Sequence, residues 1–130
     1  MSESNFWKTV KRNLPSDCHS TRIENRNGGG IPDVHIVWNG FAFWIELKVC
    51  KGNKVLLSPH QVAWNSAYCR KGGVSFILAK HPSQCLLYLF EGVRCSELLD
   101  NGLRTKNLYF GKDYKELFSV IRDFGISGFR

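Results

Sequence analysis

The chain lacks the cysteine pattern of a disulfide-stapled or zinc-binding domain. Its 130 residues include five cysteines, an odd number, and none of them forms a C-x-x-C motif. Secreted disulfide frameworks and zinc ribbons depend on paired, closely spaced cysteines. We therefore expect reduced thiols and an intracellular protein, either cytoplasmic or, if the host is a eukaryote, nuclear.

Long apolar segments are also lacking. No run approaches the ~18 consecutive apolar residues of a membrane span, and residues 1–20 have no apolar core of the signal-peptide type. Internal repeats, low-complexity tracts and linkers are absent as well. The length and the 43% hydrophobic content fit one globular domain with a core of its own and no membrane partner.

The chain has fewer acidic than basic residues. Eleven Asp and Glu face eighteen Lys and Arg, which gives a formal net charge of +7 and a pI near 9.3. Such a balance favours a polyanionic partner, although charge alone is weak support for one. Because no helix-turn-helix or zinc-finger pattern is present, recognition of a nucleic acid would rest on backbone shape rather than on base sequence.

A β-hairpin around Asn39-Gly40 is the strongest local signal in the sequence. A two-residue type I′ turn needs positive φ at both residues, which Asn and Gly tolerate. The resulting register puts Asp33 directly opposite Glu46. Since side chains alternate between faces, the charges gather on one face, at the end away from the turn. The other face is wholly apolar and carries Val34, Ile36, Trp38, Phe41, Phe43, Ile45, Leu47 and Val49.

Two opposed acids need a positive group between them. Directly paired residues have Cβ atoms about 4.5–5.5 Å apart, and two carboxylates at that distance repel each other. A divalent cation that prefers hard oxygen ligands, Mg²⁺ above all, would resolve the conflict between Asp33 and Glu46. The alternative is that Lys48, on the same face, neutralises the pair as an ordinary surface cluster. The partly apolar character of this face favours the metal.

The rest of the chain is predicted to alternate between helices and strands. One helix is strongly marked, with Ser58 as N-cap, Pro59 at the first helical position and Gln61 three residues after the cap. Further elements are a helix at about 4–12 with Ser4 as N-cap, an extended segment at about 19–25, strands at 73–80 and 84–90, a short helix at 95–99, an unassigned segment at 108–110 and a helix at about 113–124 ended by Gly125. This order predicts an α/β domain with a mixed sheet covered on both sides.

The spacing of Pro32-Asp33 and Glu46-Leu47-Lys48 resembles the signature of the PD-(D/E)xK nuclease superfamily. The upstream Glu24, the Gly-rich approach to Pro-Asp, and Ser58 with Gln61 are similar to the VRR-NUC and Holliday-junction-resolvase-like branch. The resemblance covers about residues 22–79. It implies a restriction-endonuclease-like core, with a mixed β-sheet of about four to five strands flanked by helices, in a single nuclease domain over residues 1–130.

The same resemblance implies an activity. It is that of a metal-dependent endonuclease that uses Mg²⁺, with Mn²⁺ as a substitute, to hydrolyse phosphodiester bonds in branched or Holliday-junction-like DNA during repair and recombination. Similar enzymes act as homodimers. The alternatives are a flap, single-strand or repair nuclease of the same superfamily, and a catalytically idle DNA-binding domain with this fold.

The resemblance also assigns roles to residues. Asp33 and Glu46 bind the metal with the backbone carbonyl of Leu47, Lys48 contacts the attacking water or the scissile phosphate, and Glu24 reaches the metal or its water.

Gln61 has two alternative roles. It either closes a capping box with Ser58 or points into the site and orients water or phosphate. The candidate DNA contacts, each of which is alternatively an ordinary surface charge, are Arg22, Arg26, Lys51, Lys54, Arg70 and Lys71.

Overall fold

The structure, a computed structural model, describes residues 2–23 and 29–128. Within these ranges the chain folds into a six-stranded sheet with the strand order β1-β2-β3-β4-β5-β6. Neighbouring strands are antiparallel except β3 and β4, which are parallel. The elements in chain order are α1 (Glu3–Arg12), β1 (Cys18–Arg22), β2 (Val34–Trp38), β3 (Phe41–Val49), α2 (Pro59–Arg70), β4 (Ser75–His81), β5 (Leu86–Glu91), α3 (Cys95–Asn101), β6 (Tyr109–Gly111) and α4 (Tyr114–Gly128), with short 3₁₀ turns at Gly92–Arg94 and Gly102–Arg104.

Helices cover both faces of the sheet, as the element order predicts. Residues of α1 and α4, among them Phe6 and Ile121, pack with the apolar face of the hairpin into the larger core. On the other face, α3 and part of α2 pack over β4 and β5 in a smaller core that includes Ile77 and Leu98. Because β3 and β4 are parallel, the chain must cross over between them, and α2 lies in that crossover.

The hairpin register predicted from Asn39-Gly40 is confirmed. Val34 pairs with Ile45 and every pair up to the turn follows the same register. Asn39 has φ 50° and Gly40 φ 83°, the positive values that the turn requires. Seven of the eight predicted apolar-face residues are buried and the eighth, Val49, is partly buried. The charged face of the hairpin therefore lies where the sequence predicts it.

The sheet has six strands and not the four to five expected, because a short edge strand, β6, is added beside β5. The extended segment after α1 pairs with β2 as β1, and the unassigned segment near residue 109 pairs with β5 as β6. These strands have five and three residues. Strands this short carry little periodicity, and for this reason the sequence marks them weakly.

Two predicted helix boundaries are wrong. The first helix begins at Glu3, because the side chain of Ser2, rather than that of Ser4, accepts the hydrogen bond from the Asn5 N–H at 3.1 Å. The last helix continues past Gly125 to Gly128. A Cβ at Gly125 would collide with the ring of Phe41, so this glycine permits close helix–sheet packing instead of ending the helix.

Gly30 fixes the segment that leads to Asp33 against the start of α2. Its φ is 80°, and a Cβ at this position would collide with the backbone carbonyl of His60. A backbone atom cannot move aside as a flexible side chain can. The residue is therefore needed for packing within the protein, which is a structural reason for a glycine just before the Pro-Asp pair.

We expect Gly30→Ala to destabilise the protein by about 2–5 kcal/mol, because left-handed strain and a backbone collision add together. Gly72→Ala is the matched control, since Gly72 has φ 91° but open space around its Cβ position. Strain alone should cost that variant about 1–2 kcal/mol. Urea unfolding of the two proteins measures the difference, and equal losses would show that the His60 contact is not tight.

Candidate active site

The site lies where β3 continues beyond the end of its partner β2. The β2–β3 ladder stops at Val34 and Ile45, so that farther along β3 this edge has no strand partner among the described residues. The Leu47 N–H instead donates to Oδ2 of Asp33 at 2.8 Å. The Val49 backbone donates to the carboxylate of Glu3. Two carboxylates thus occupy the position that a strand would otherwise fill.

The same geometry turns the Leu47 carbonyl towards the acids. In an antiparallel ladder a residue directs its N–H and its C=O to the same neighbouring strand. Since the Leu47 N–H points at Asp33, its carbonyl also faces the open edge. The resemblance to PD-(D/E)xK nucleases implies that this carbonyl binds the metal, and its direction agrees with that role.

Glu46 is a buried carboxyl group that lacks a complete set of partners. The residue is only 1% exposed, and its Oε1 has no hydrogen-bond partner among residues 2–23 and 29–128. Burial raises the pKa of Glu46 far above its usual range, and a hydrogen bond with Asp33 and the charge of Asp33 raise it further. An unsatisfied buried oxygen is costly, so the arrangement needs either a proton or a cation beside Glu46.

Lys48 is partly buried on the same face as Glu46 and its charge lowers the pKa values of both Glu46 and Glu3. The net shift of Glu46 is nevertheless upward. Lys48 alone therefore does not compensate the paired acids, and this argues against the reading of the site as a self-neutralised surface cluster.

Glu3 is the acid that sequence reasoning missed. Although Glu3 is exposed as a residue, its carboxyl end turns towards β3, and desolvation there raises its pKa, while Lys48 lowers it and Asp33 raises it. An acidic residue in the first turn of α1 was visible in the sequence. Its placement depends on how α1 docks through Phe6 and Val10, which no local pattern reveals.

The donor set fits a hard divalent cation. Asp33 and Glu46 offer carboxylate oxygens beside the Leu47 carbonyl, and one of these oxygens is buried with no partner in the described part of the chain. Within residues 2–23 and 29–128, no group of three or more His, Cys, Asp or Glu side chains is arranged to hold a metal. The sequence-predicted ligands within these ranges are thus the two carboxylates and the Leu47 carbonyl. The predicted ligand Glu24 lies outside the described residues.

Gln61 has the first of its two predicted arrangements. Its side-chain oxygen accepts from the Ser58 N–H at 2.9 Å, and its own N–H donates to the Ser58 hydroxyl at 3.1 Å, forming a capping box at the start of α2. Its role in catalysis stays a prediction.

The residues predicted to contact DNA lie at different distances from the acids. Arg22 lies beside the acids, since it contacts the Ser4 hydroxyl at 3.5 Å and lowers the pKa of Glu3. Lys51 and Lys54 follow the end of β3. Arg70 and Lys71 lie at the far end of α2, about 17 Å along the helix axis from its start. Arg26 lies outside the described residues.

The architecture is an α/β fold of the restriction-endonuclease type, which confirms the predicted fold class. The chain is similar to the structure of Hjc, a Holliday junction resolvase from the hyperthermophilic archaeon Archaeoglobus fulgidus. The TM-score is 0.50 and the identity 17%, over 88% of this chain and 89% of that chain. No protein-family model and no curated protein matches the sequence. A structural similarity at 17% identity establishes the fold alone.

We expect Glu46→Gln to stabilise the metal-free protein by about 1–3 kcal/mol, because the amide has the same size and avoids the cost of protonating a carboxylate on folding at neutral pH. Urea unfolding in EDTA at neutral pH measures the change. Glu116→Gln, on the exposed part of α4, is the control and should stay within about 0.5 kcal/mol of the parent. A less stable Glu46→Gln protein would show that the carboxyl group is already satisfied.

Proposed function

We propose that this protein is a metal-dependent endonuclease that hydrolyses phosphodiester bonds in branched DNA. The observation that carries the proposal is the meeting of Asp33, Glu46 and Lys48 at the open edge of β3. A carboxyl group this buried, with one oxygen that lacks a partner among the described residues, is costly for stability, whereas a nuclease uses such a group to hold a cation near phosphate. The fold shared with a Holliday junction resolvase supports the choice of substrate.

Each residue of the site has a proposed role. Asp33, Glu46 and the Leu47 carbonyl hold Mg²⁺, or Mn²⁺ in its place, and Glu24 is a further candidate ligand. When bound, the cation supplies positive charge beside the phosphate and lowers the pKa of a water molecule. Lys48 binds the scissile phosphate or the attacking water as a compact positive charge.

Two further side chains support this arrangement. Glu3 is anchored by the Val49 N–H and positions Lys48 through their mutual attraction. Gln61 orients water or phosphate when its capping hydrogen bond opens.

The basic surface supports DNA as the substrate. The net charge is +7, and Arg22, Lys51 and Lys54 lie near the acids or beyond the end of β3. Contacts of this type position a nucleic-acid backbone without selecting a base sequence. None of the helices in the described ranges has the length and apolar character needed to cross a membrane.

We expect Glu46→Ala to abolish cleavage while retaining DNA binding in EDTA, because a metal ligand and a negative charge are lost together. Lys48→Ala should cut about 10²–10³-fold more slowly than the parent. Glu3→Gln should slow cutting by a smaller factor than Lys48→Ala does. The measurement incubates labelled four-way junction, flap, duplex and single-stranded DNA with each protein, in Mg²⁺ or in EDTA.

Glu116→Ala, remote from the site, is the control and should cut like the parent. Preferential cutting of flaps or single strands would show that these, and not junctions, are the preferred substrate. If DNA is bound and never cut, the protein is an idle DNA-binding domain, and the proposed activity is wrong.

We also propose that the protein acts as a C₂ homodimer, which suits the cutting of two strands of a junction. A row of partly exposed rings supports a contact surface on the hairpin and α2. The ring centroids of His35 and Trp44 lie 4.7 Å apart, and those of Trp44 and Trp64 lie 5.7 Å apart. Trp64 in turn stacks on Tyr68, with ring centroids 4.7 Å apart. Such a row of aromatic side chains is typical of protein interfaces.

Trp64→Asp should shift the protein from dimer to monomer in sedimentation velocity, because a charge would be buried in the interface. Phe110→Asp is the matched control, since Phe110 is exposed on β6 and should leave the dimer intact. A monomeric parent protein, or a dimer that tolerates Trp64→Asp, would contradict this interface.

A further inference from the structure

A basic cleft lies beyond the carboxyl end of β3, outside the site described above. It encloses about 610 Å³ between the loop that follows β3 and the turn after α3. Three cations line it, Lys51, Lys54 and Arg104, with one carboxylate, Asp100. All three cationic residues are exposed, and none forms an ion pair in the part of the chain that the structure describes. The cleft therefore presents excess positive charge.

The backbone holds one wall of this cleft in a fixed shape. Lys51 and Lys54 exchange two backbone hydrogen bonds of 3.1 and 3.0 Å around a tight turn, in which Gly52 has φ 59°. The two lysines are thereby kept at a constant separation along the loop.

The second wall is tied to the first. The Leu103 N–H donates to the Asn53 carbonyl at 3.0 Å, and a Cβ at Gly102 would collide with that same carbonyl. Arg104, which follows directly, is thus brought beside Lys51 and Lys54 from a distant part of the chain. No sequence pattern links these three residues.

The strand β3 connects the cleft with the catalytic residues. At about 3.3 Å per residue, the five positions from Glu46 to Lys51 span on the order of 17 Å. Phosphates on one strand of duplex DNA advance about 3.4 Å each along the helix axis. A duplex arm that runs along β3 from a scissile phosphate at Glu46 would thus reach the cleft after about five base pairs. Because this is about half a helical turn, the backbone that faces the cleft there is that of the complementary strand.

We propose that this cleft binds the phosphodiester backbone of a duplex DNA arm, about five base pairs from the cut. The inference rests on the proposed nuclease function and deepens it, because it names a requirement of the substrate: duplex on at least one side of the scissile bond. Phosphate oxygens are the ligands that a cluster of Lys and Arg side chains binds.

The test measures affinity for an intact four-way junction in EDTA, where no cutting occurs, over a range of salt concentrations. Each lost phosphate contact should reduce the slope of log K against log salt by about 0.9, so that Lys51→Ala and Arg104→Ala together reduce it by about 2. Lys51→Arg should keep the parent slope.

Lys115→Ala is the matched control. It removes one exposed positive charge from α4, which packs on the opposite face of the sheet, and should leave the slope unchanged. Equal melting temperatures of all variants would confirm that they fold alike.

Arm length supplies a second readout. Shortening one hairpin-closed arm from ~10 to ~3 base pairs, with the other arms kept long so that the junction stays assembled, should slow cutting by the parent protein at least about tenfold, and should affect the double variant much less. If the parent binds and cuts but the double variant keeps its slope and its arm-length dependence, the cleft proposal alone is wrong. If the parent neither binds nor cuts DNA, the nuclease proposal fails and the cleft proposal fails with it.

Discussion

The hydrogen bond from the Leu47 N–H to the Asp33 carboxylate determines the geometry of the site. It forms because β3 extends beyond the end of β2, which leaves backbone donors on β3 without a strand partner in the described part of the chain. Buried or half-buried backbone N–H groups need an acceptor, and here carboxylates supply it. The same bond brings Asp33 to Glu46 and directs the Leu47 carbonyl to the same edge. The site is thus built from an interrupted ladder.

This arrangement sets stability against function. Glu46 is buried next to a second carboxylate, and one of its oxygens has no partner among the residues that the structure describes, in a protein otherwise rich in cations. A chain shaped for stability alone would carry a neutral residue there. The cost is understandable if the natural state of the site includes a cation bound to Asp33 and Glu46, and phosphate next to it. The basic cleft near Arg104 then continues the same surface farther from the cut.

Local patterns sufficed for the parts of the molecule that depend on local chemistry. Asn39-Gly40 specified both the turn and the register, and from the register followed the two faces of the hairpin. Ser58 and Gln61 specified the start of α2. The sequence also contained the paired acids in an order that resembles a nuclease signature, and the fold class deduced from it agrees with the structure.

Tertiary packing decided the rest. Glu3 reaches β3 only because α1 docks on the apolar face, and the sequence placed the helix start two residues late. Gly125 resembles a helix stop but instead makes room for Phe41, and Arg104 joins the lysines through a backbone contact at Asn53. Each of these depends on residues distant in sequence, for which periodicity and capping rules provide no signal.

The central claim is that Asp33 and Glu46 form a divalent-cation site, and Mn²⁺ binding without DNA tests it most directly. Electron paramagnetic resonance of free Mn²⁺ during a titration would count bound ions for the parent, Asp33→Asn, Glu46→Gln and Asp100→Asn proteins. The account predicts a saturable site in the parent and in Asp100→Asn that is lost in the other two. Equal binding by all four proteins, or none by the parent, would contradict it.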